Sequence, residues 1–349
     1  MKSQVWIGKK RLKKPLIQGG MGIGVSLSGL AGAVAKEGGV GTISAAQIGF
    51  LQPEFEQNPV LANLKAMEEE LQKARKIAPD GILGFNIMVA MNHYETYVRK
   101  AVETGADFIV SGAGLPLELP AMVSDTDIAI APIVSGARAT ALILKYWEKK
   151  YHRYPDFIVI EGPEAGGHLG FSRKQLEEFT PVTYDQEIRG ILAEVKKYAD
   201  KYGKEIPVVV AGGIFTREDM LHAMELGADG VQMGTRFVTT WECDASEAYK
   251  QTYLHAKKED IVIVDSPVGM PGRAIRNRFL EEKESRRELI KKCYQCIATC
   301  NPANTPYCIT RALVHAAKGE TDDALLFCGE NAWRCEKMEH VADIMAEFA

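Results

Sequence analysis

Residues 208–236 read VVVAGGIFTREDMLHAMELGADGVQMGTR and contain one complete strand–helix–strand unit. The stretch begins with a β-branched run, continues through a glycine pair and an amphipathic segment, and ends in a second short apolar run. Thr216 and Asp219 have the spacing of a capping box, which marks the first turn of a helix. Apolar strands joined by a helix are typical of a parallel sheet with both faces covered. The stretch therefore predicts an α/β protein.

The same pattern recurs along the chain. ETGADFIVSGAG (103–114) shares with ELGADGVQMGTR (225–236) a G-A-D step that leads from a helix into a strand. The predicted strands cover residues 16–19, 40–44, 82–87, 108–111, 128–134, 157–161, 208–211 and 230–233. The predicted helices cover residues 27–37, 60–78, 93–104, 116–123, 137–149, 184–202 and 217–226. Eight such units match a closed (β/α)8 TIM barrel better than an open doubly wound sheet, which normally has fewer strands.

The rest of the chain differs in character from the repeated units. We predict a barrel in residues 1–240 and a small helical, cysteine-containing addition in residues 241–317, which includes the charged stretch RNRFLEEKESRRELIKK (276–292). Residues 318–349 are amphipathic and are expected to complete the barrel as its last helix.

Composition excludes several classes of function. The 349 residues are 46% hydrophobic and 25% charged, with a net charge of −4, so no basic surface for nucleic acid is indicated. No apolar run reaches the roughly 18 residues that a membrane span needs, and the basic N-terminus is not followed by the apolar stretch of a signal peptide. Seven cysteines, an odd number, favour reduced thiols. We expect a cytoplasmic protein without a membrane or nucleic-acid partner.

Glycines follow the predicted strands where the active site of a barrel lies. Gly212, Gly213, Gly234 and Thr235 follow the last two strands, whose loops commonly form a phosphate site in such barrels. Glycine lets backbone N–H groups approach an anion closely. Any single glycine pair is also compatible with a tight turn. No G-x-G-x-x-G motif follows a strand and no Walker A motif occurs, which disfavours nucleotide binding of the Rossmann or P-loop kind.

His168 is the first candidate for a catalytic residue. It comes directly after the glycine pair that follows the sixth strand, and its imidazole titrates near neutrality. A structural or surface role is the alternative for any single histidine. His93, Glu161 and Glu164 are weaker candidates, because a solvated helix position or a loop-capping carboxylate explains them equally well.

The chain resembles the nitronate monooxygenases, once called 2-nitropropane dioxygenases, and the related FMN-dependent enoyl-ACP reductases. The resemblance covers roughly residues 15–237. It rests on the segments PLIQGGMG (15–22), GFNIM (84–88), EGPEAGGHLG (161–170), VVVAGGI (208–214) and VQMGTRF (231–237).

The resemblance implies a bound FMN and a role for each matching residue. The flavin ring would lie on Gly20, Met21 and Gly22, near Asn86, and His168 would be the active-site residue. The other implied cofactor contacts are Gly166, Gly167, Gln232 and Met233 along the flavin, and Gly212, Gly213, Gly234 and Thr235 around its phosphate.

Three functions remain open at this point. The first is oxidation of alkyl nitronates with O2, and the second is NAD(P)H-dependent reduction of an enoyl-ACP in fatty acid synthesis. A non-catalytic flavin-binding protein is the third. Each of the first two implies a small-molecule substrate, and formation of a homodimer is left open.

The cysteine-rich stretch departs from the family pattern. Cys293, Cys296, Cys300 and Cys308 have a C-x2-C-x3-C-x7-C spacing that is compatible with four thiolates around a metal or an iron–sulfur cluster. The spacing is similar to that of some flavin-dependent barrel reductases, although its last gap is shorter. Ordinary buried thiols also explain it, and we predict no metal site.

Overall fold

The computed structural model describes residues 5–348. A hairpin of β1 (Trp6–Ile7) and β2 (Lys10–Arg11) comes first, and eight parallel strands then form a closed barrel. The barrel strands are β3 (Leu16–Gln18), β4 (Val40–Ser44), β5 (Ile82–Met88), β6 (Phe108–Gly112), β7 (Ala129–Val134), β8 (Ile158–Glu161), β10 (Val208–Ala211) and β11 (Gly230–Met233). They pair in that order, and β11 closes on β3. The predicted (β/α)8 barrel is confirmed.

Helices surround the barrel. They are α1 (Ser28–Lys36), α2 (Pro59–Ile77), α3 (Tyr94–Glu103), α4 (Leu119–Met122), α5 (Ala137–Tyr151), α6 (Arg173–Glu178), α7 (Pro181–Tyr202), α8 (Arg217–Leu226) and α9 (Thr235–Val238). The predicted capping box of α8 is present, because the Thr216 side chain accepts from the Asp219 N–H while the Asp219 carboxylate accepts from the Thr216 N–H. No helix within residues 5–348 is long and apolar enough to cross a bilayer.

Strand alternation divides the core into an inner and an outer layer. Ile17, Phe108 and Val159 belong to the buried cluster inside the barrel, whereas Leu83 and Phe85 belong to the larger cluster that includes the surrounding helices. Successive strand residues point to opposite faces, so each apolar strand fills both layers. The inward-pointing residues nearest the carboxyl ends of the strands lie at the rim of the barrel, where a ligand can reach them.

The addition after the barrel is only partly helical. It contains α10 (Glu247–His255), a 3₁₀ turn (Lys258–Asp260), β12 (Ile261–Asp265), β13 (Pro271–Ile275), α11 (Arg278–Ser285) and α12 (Ile309–Lys318). The strands β12 and β13 form an antiparallel pair, which β9 (Gly167–His168) extends to three strands. The prediction missed this sheet, and of the charged stretch 276–292 only the part in α11 is helical. The run IVIVD of β12 is β-branched, so the signal for a strand was present.

The last segment returns to the barrel wall. It contains 3₁₀ turns at Thr321–Asp323 and Glu330–Arg334, followed by α13 (Val341–Glu347). Val341 and Met345 of α13 are buried in the cluster between the barrel and its helices, and α13 packs against α1. The division of the chain at residues 240 and 318 stays a prediction.

Candidate active site

A cavity of about 490 Å³ opens at the carboxyl ends of the barrel strands. Its size lies within the range of small-molecule and cofactor sites. The predicted site residues among its lining are Gly20, Met21, Gly22, Asn86, Gly166, Gly167, His168, Gly212, Gly213, Gln232, Gly234 and Thr235. The structure thus brings His168 and all but one of the predicted cofactor residues to a single mouth, which the parallel strands explain, since their carboxyl ends meet at one rim.

One side of the mouth is formed by glycines at positions where a side chain would not fit. A Cβ at Gly20 would lie 2.4 Å from the Asn86 Cβ, and one at Gly22 would lie 2.7 Å from the Ser44 Oγ. Asn86 and Ser44 stand on inward positions of β5 and β4, so the chain at 20–22 runs directly over the inner rim of the barrel. Glycine is required there because any side chain would collide with the rim.

The predicted phosphate region lies on the opposite side, next to α8. Gly212 and Gly213 have φ values of +90° and +83°, which are in the left-handed region that favours glycine. The Asn331 side chain donates to the Gly213 carbonyl at 2.8 Å and holds this loop. The Glu164 carboxyl group lies next to Gly213, and desolvation together with the nearby Glu330 raises its pKa.

Met233 is the exception among the predicted flavin contacts. Gln232 points inward and lines the mouth, with its Nε2 3.2 Å from the position of a Cβ at Gly19. Met233, the next residue of β11, points outward and is buried among the surrounding helices. The Met233 side chain therefore faces away from the mouth, because adjacent strand residues point to opposite sides, and the predicted position of Met233 along the flavin stays a prediction.

The two glycines before His168 are required for different structural reasons. A Cβ at Gly166 would lie 2.7 Å from the backbone of Cys328, so this position accommodates the returning C-terminal segment. Gly167 has a φ of +70° and open space around it, so it is needed for its backbone conformation. The sequence predicted both glycines as flavin neighbours but could not reveal the packing of Gly166.

His168 lies on the wall of the mouth, on strand β9. Its Nε2 is hydrogen bonded to the Ser266 Oγ at 2.7 Å, and its ring packs edge-on against Phe327 with the centroids 4.9 Å apart. Burial lowers the pKa of His168 from 6.5 to about 4, so the imidazole is neutral at pH 7. His93, by contrast, is exposed at the start of α3 and does not line the mouth.

Glu161 is a second ionisable group in the mouth. It occupies the last inward position of β8, where its carboxylate accepts from the Gly170 N–H at 3.4 Å. Burial raises the pKa of Glu161 to about 7, so near neutral pH the group is divided between its charged and neutral forms.

Two residues of the later segments hold the wall around His168, and sequence analysis missed both. Arg273 of β13 is buried, donates to the carbonyls of Pro163 and Ala165, and forms an ion pair with Glu330 at 2.8 Å. Phe327 packs on His168. Arg273 stands alone among small and apolar residues in the run PGRAI, which forms β13. Sequence analysis missed its role because its partners lie more than 50 residues away along the chain.

Phe327 is itself fixed by the addition. The hydroxyl groups of Tyr249 and Tyr253 of α10 donate to its backbone carbonyl at 3.3 and 2.6 Å. Both tyrosines also line the mouth. The addition therefore supplies part of the site wall.

The cysteine-rich stretch is not arranged as a metal centre. Within residues 5–348, no group of three or more His, Cys, Asp or Glu side chains is placed to hold a metal ion, and all seven cysteines are free thiols. Burial raises the pKa of Cys296, Cys300 and Cys308, which favours the protonated thiols. The backbone carbonyl of Cys296 accepts from the Asn92 N–H at 3.1 Å and ties the stretch to the barrel.

The barrel, its glycine-lined mouth and the half-buried imidazole of His168 define an enzyme whose ligand binds at the carboxyl ends of the strands. The family model of nitronate monooxygenase matches residues 3–349. The chain therefore belongs to the nitronate monooxygenase family, and it is an oxidoreductase.

Relatives agree with this assignment. The chain is 28% identical over 308 residues to a protein of Staphylococcus saprophyticus named "Probable nitronate monooxygenase", with 79% of each chain covered. A protein of the same name from Staphylococcus aureus strain Newman is 28% identical over 300 residues, with 78% of each chain covered.

Solved structures share the fold. FabK from Thermotoga maritima has a TM-score of 0.73 at 23% identity, with 97% of this chain and 92% of that chain covered. Nitroalkane oxidase from Streptomyces ansochromogenes has a TM-score of 0.70 at 18% identity, with 97% and 95% covered.

Proposed function

We propose that this protein is an FMN-dependent nitronate monooxygenase, which oxidises alkyl nitronates with O2. The observation that carries the proposal is a neutral, half-buried imidazole on the wall of a glycine-lined mouth of about 490 Å³. Membership of the nitronate monooxygenase family supports it.

The residues of the mouth suit FMN. Gly20 and Gly22 provide a face without side chains, while the amides of Asn86 and Gln232 can hydrogen bond to a heterocyclic ring. Gly212 and Gly213, near the N-terminus of the ten-residue helix α8, suit a phosphate group because backbone N–H groups and the helix dipole attract anions. When bound, FMN supplies an acceptor for two electrons that can pass them on to O2.

The state of His168 favours a nitronate anion over a neutral nitroalkane. Removing a proton from carbon needs a base whose pKa is near the working pH, and the pKa of about 4 makes the free imidazole a weak base at pH 7. A nitronate has already lost that proton. A neutral imidazole can donate one hydrogen bond to it, and the bound anion would raise the pKa of the imidazole. His168 therefore binds and orients the substrate, and Ser266 orients His168.

The first test is the reaction of the purified protein with alternative reductants. We expect flavin absorption bands, rapid bleaching when 1-nitropropane nitronate is added without oxygen, and slow bleaching with NADH or NADPH. Faster bleaching with a nicotinamide would instead support the enoyl-ACP reductase. A bound flavin that neither reagent bleaches would support a non-catalytic flavin protein.

The second test compares His168 with a histidine that lies outside the mouth. His168→Asn should lower nitronate turnover by up to about a hundredfold, because a well-placed hydrogen bond to an anion contributes about 1.5–3 kcal/mol, while FMN stays bound. His93→Asn is the control, because His93 is exposed and its left-handed backbone suits asparagine. Equal turnover in both variants would remove His168 from the reaction.

The third test concerns the phosphate region. Gly212→Ala places a Cβ 3.0 Å from the Gly162 backbone at a φ of +90°, and should weaken FMN binding at least tenfold on the scale of strained backbone positions. Gly105→Ala is the control, because Gly105 has a φ of +78° but open space around it and lies outside the mouth. FMN fluorescence titration measures both. Equal loss of affinity would show a general effect of backbone strain.

A further inference from the structure

A second, smaller cavity adjoins the mouth next to His168. Its volume is about 40 Å³, and Ala46, Met88, His168 and Leu313 line both this cavity and the mouth. The two spaces therefore meet at the proposed anion-binding imidazole. A substrate held by His168 has this side cavity within reach.

The side cavity presents apolar surface to a ligand. Three of its polar lining residues are paired within the protein: the Gln47 Oε1 and the Tyr97 hydroxyl each accept from the Asn63 amide at 2.8 Å, and the Gln47 amide donates to the Thr310 Oγ1 at 3.4 Å. The remaining lining is mainly aliphatic. A charged or hydroxylated group that faces the aliphatic part of this wall would lack a hydrogen-bond partner there, which is costly.

The far wall of the side cavity belongs to the cysteine-rich stretch. Ile297 forms a bridge with Met91, and the Ala298 N–H donates to the Ala90 carbonyl at 2.9 Å. The neighbouring Tyr294 stacks on Phe55 with the ring centroids 5.4 Å apart. These contacts hold the stretch against the barrel, so the cavity has a fixed depth and its far wall comes from outside the segments that carry the family motifs.

We propose that the side cavity binds the unbranched alkyl tail of the substrate. This inference rests on the proposed function, in which the nitronate group lies next to His168. A water-sized group occupies roughly 10–15 Å³ on this measure of volume. The 40 Å³ therefore accommodate about three or four methylene or methyl groups. The side cavity therefore limits the bound part of the tail to about three or four carbons.

The test uses two series of ligands with increasing chain length. Linear 1-nitronates from ethyl to octyl report turnover, and linear carboxylates from acetate to octanoate report binding by calorimetry without reacting. Each buried methylene should strengthen binding about fourfold. We expect this gain for about three or four carbons and a constant affinity for longer chains.

Val60 provides a variant that fills the side cavity. Val60 is the second residue of α2, follows Pro59, and lines the cavity. Val60→Phe should abolish the gain with chain length and leave acetate binding unchanged. Val182→Phe is the matched control, because Val182 is the second residue of α7, follows Pro181, and is 67% exposed. Val60→Ala should extend the gain by about one carbon, which tests the cavity independently of any strain from phenylalanine.

The outcomes separate the subsite from the proposed function. Chain-length-dependent carboxylate binding without nitronate oxidation would keep the subsite and refute the function. Two results would refute the subsite while nitronate oxidation is observed. One is equal affinity for all carboxylates regardless of chain length. The other is the same increase in affinity with chain length in Val60→Phe as in Val182→Phe.

Discussion

The protonation of His168 should make the folded protein sensitive to acid. Burial lowers the pKa of His168 from 6.5 to about 4, so below pH 6.5 the unfolded chain takes up a proton that the folded chain resists. The stabilisation from the neutral imidazole is complete above pH 6.5 and is lost as the pH falls toward 4. Each pH unit in this range costs about 1.4 kcal/mol. The loss relative to pH 7 is about 2 kcal/mol at pH 5 and about 3 kcal/mol at pH 4.

Urea unfolding of flavin-free protein at pH 7, 5 and 4 measures this loss, since a bound cofactor would add its own contribution to stability. The comparison is with His168→Asn, which has no titrating ring but can still hydrogen bond to Ser266. Between pH 7 and pH 5 the free energy of unfolding of the wild type should decrease by about 2 kcal/mol relative to that of the variant, because Glu161, which acts in the opposite direction, is present in both proteins. His93→Asn should follow the wild type. Parallel curves for the wild type and His168→Asn would refute the assignment of a neutral imidazole with a lowered pKa.

Two further variants test other groups around the mouth. Burial raises the pKa of Glu161 to about 7, so the neutral carboxyl group stabilises the folded protein at pH 5 and this stabilisation is lost as the pH rises to 8. The free energy of unfolding of the wild type should therefore fall by about 2.5 kcal/mol relative to that of Glu161→Gln between pH 5 and pH 8. Equal changes in the urea unfolding curves of the two proteins would contradict this. Arg273→Met should cost about 3 kcal/mol at pH 7 and weaken FMN binding, because it removes charged hydrogen bonds to the loop before His168. The exposed Arg276→Met is its control, and a comparable loss in that variant would show that Arg273 has no special role.

The barrel was predictable because its determinants are local. Apolar runs such as 40–44, 208–211 and 230–233 coincide with observed strands, and the capping box at Thr216 marks the first turn of α8. The strand of each unit and the helix that covers it are adjacent in sequence, so one window of the chain contains both. The positions of the glycines at one rim followed from the barrel itself.

The walls of the mouth could not be predicted in the same way. The pairing of β9 with β13 brings His168 next to residues about 100 positions later in the chain, and no local pattern specifies such a partner. Arg273 and Phe327 are single residues whose roles depend entirely on that pairing. Met233 shows that a family motif can predict the position of a residue but not the direction of its side chain. Strand alternation decides that direction, and it points the Met233 side chain outward.

The contacts of residues 328–331 with the glycine loops also bear on how the enzyme matures on the ribosome. When the eight strands have been synthesised, Gly166 still lacks its neighbour Cys328, and the Gly213 carbonyl still lacks its donor Asn331. Domains generally begin to fold from the N-terminal side during synthesis. We therefore expect the barrel to begin folding before residues 328–331 are available to contact the glycine loops. The cofactor should then bind only after nearly the whole chain has been synthesised.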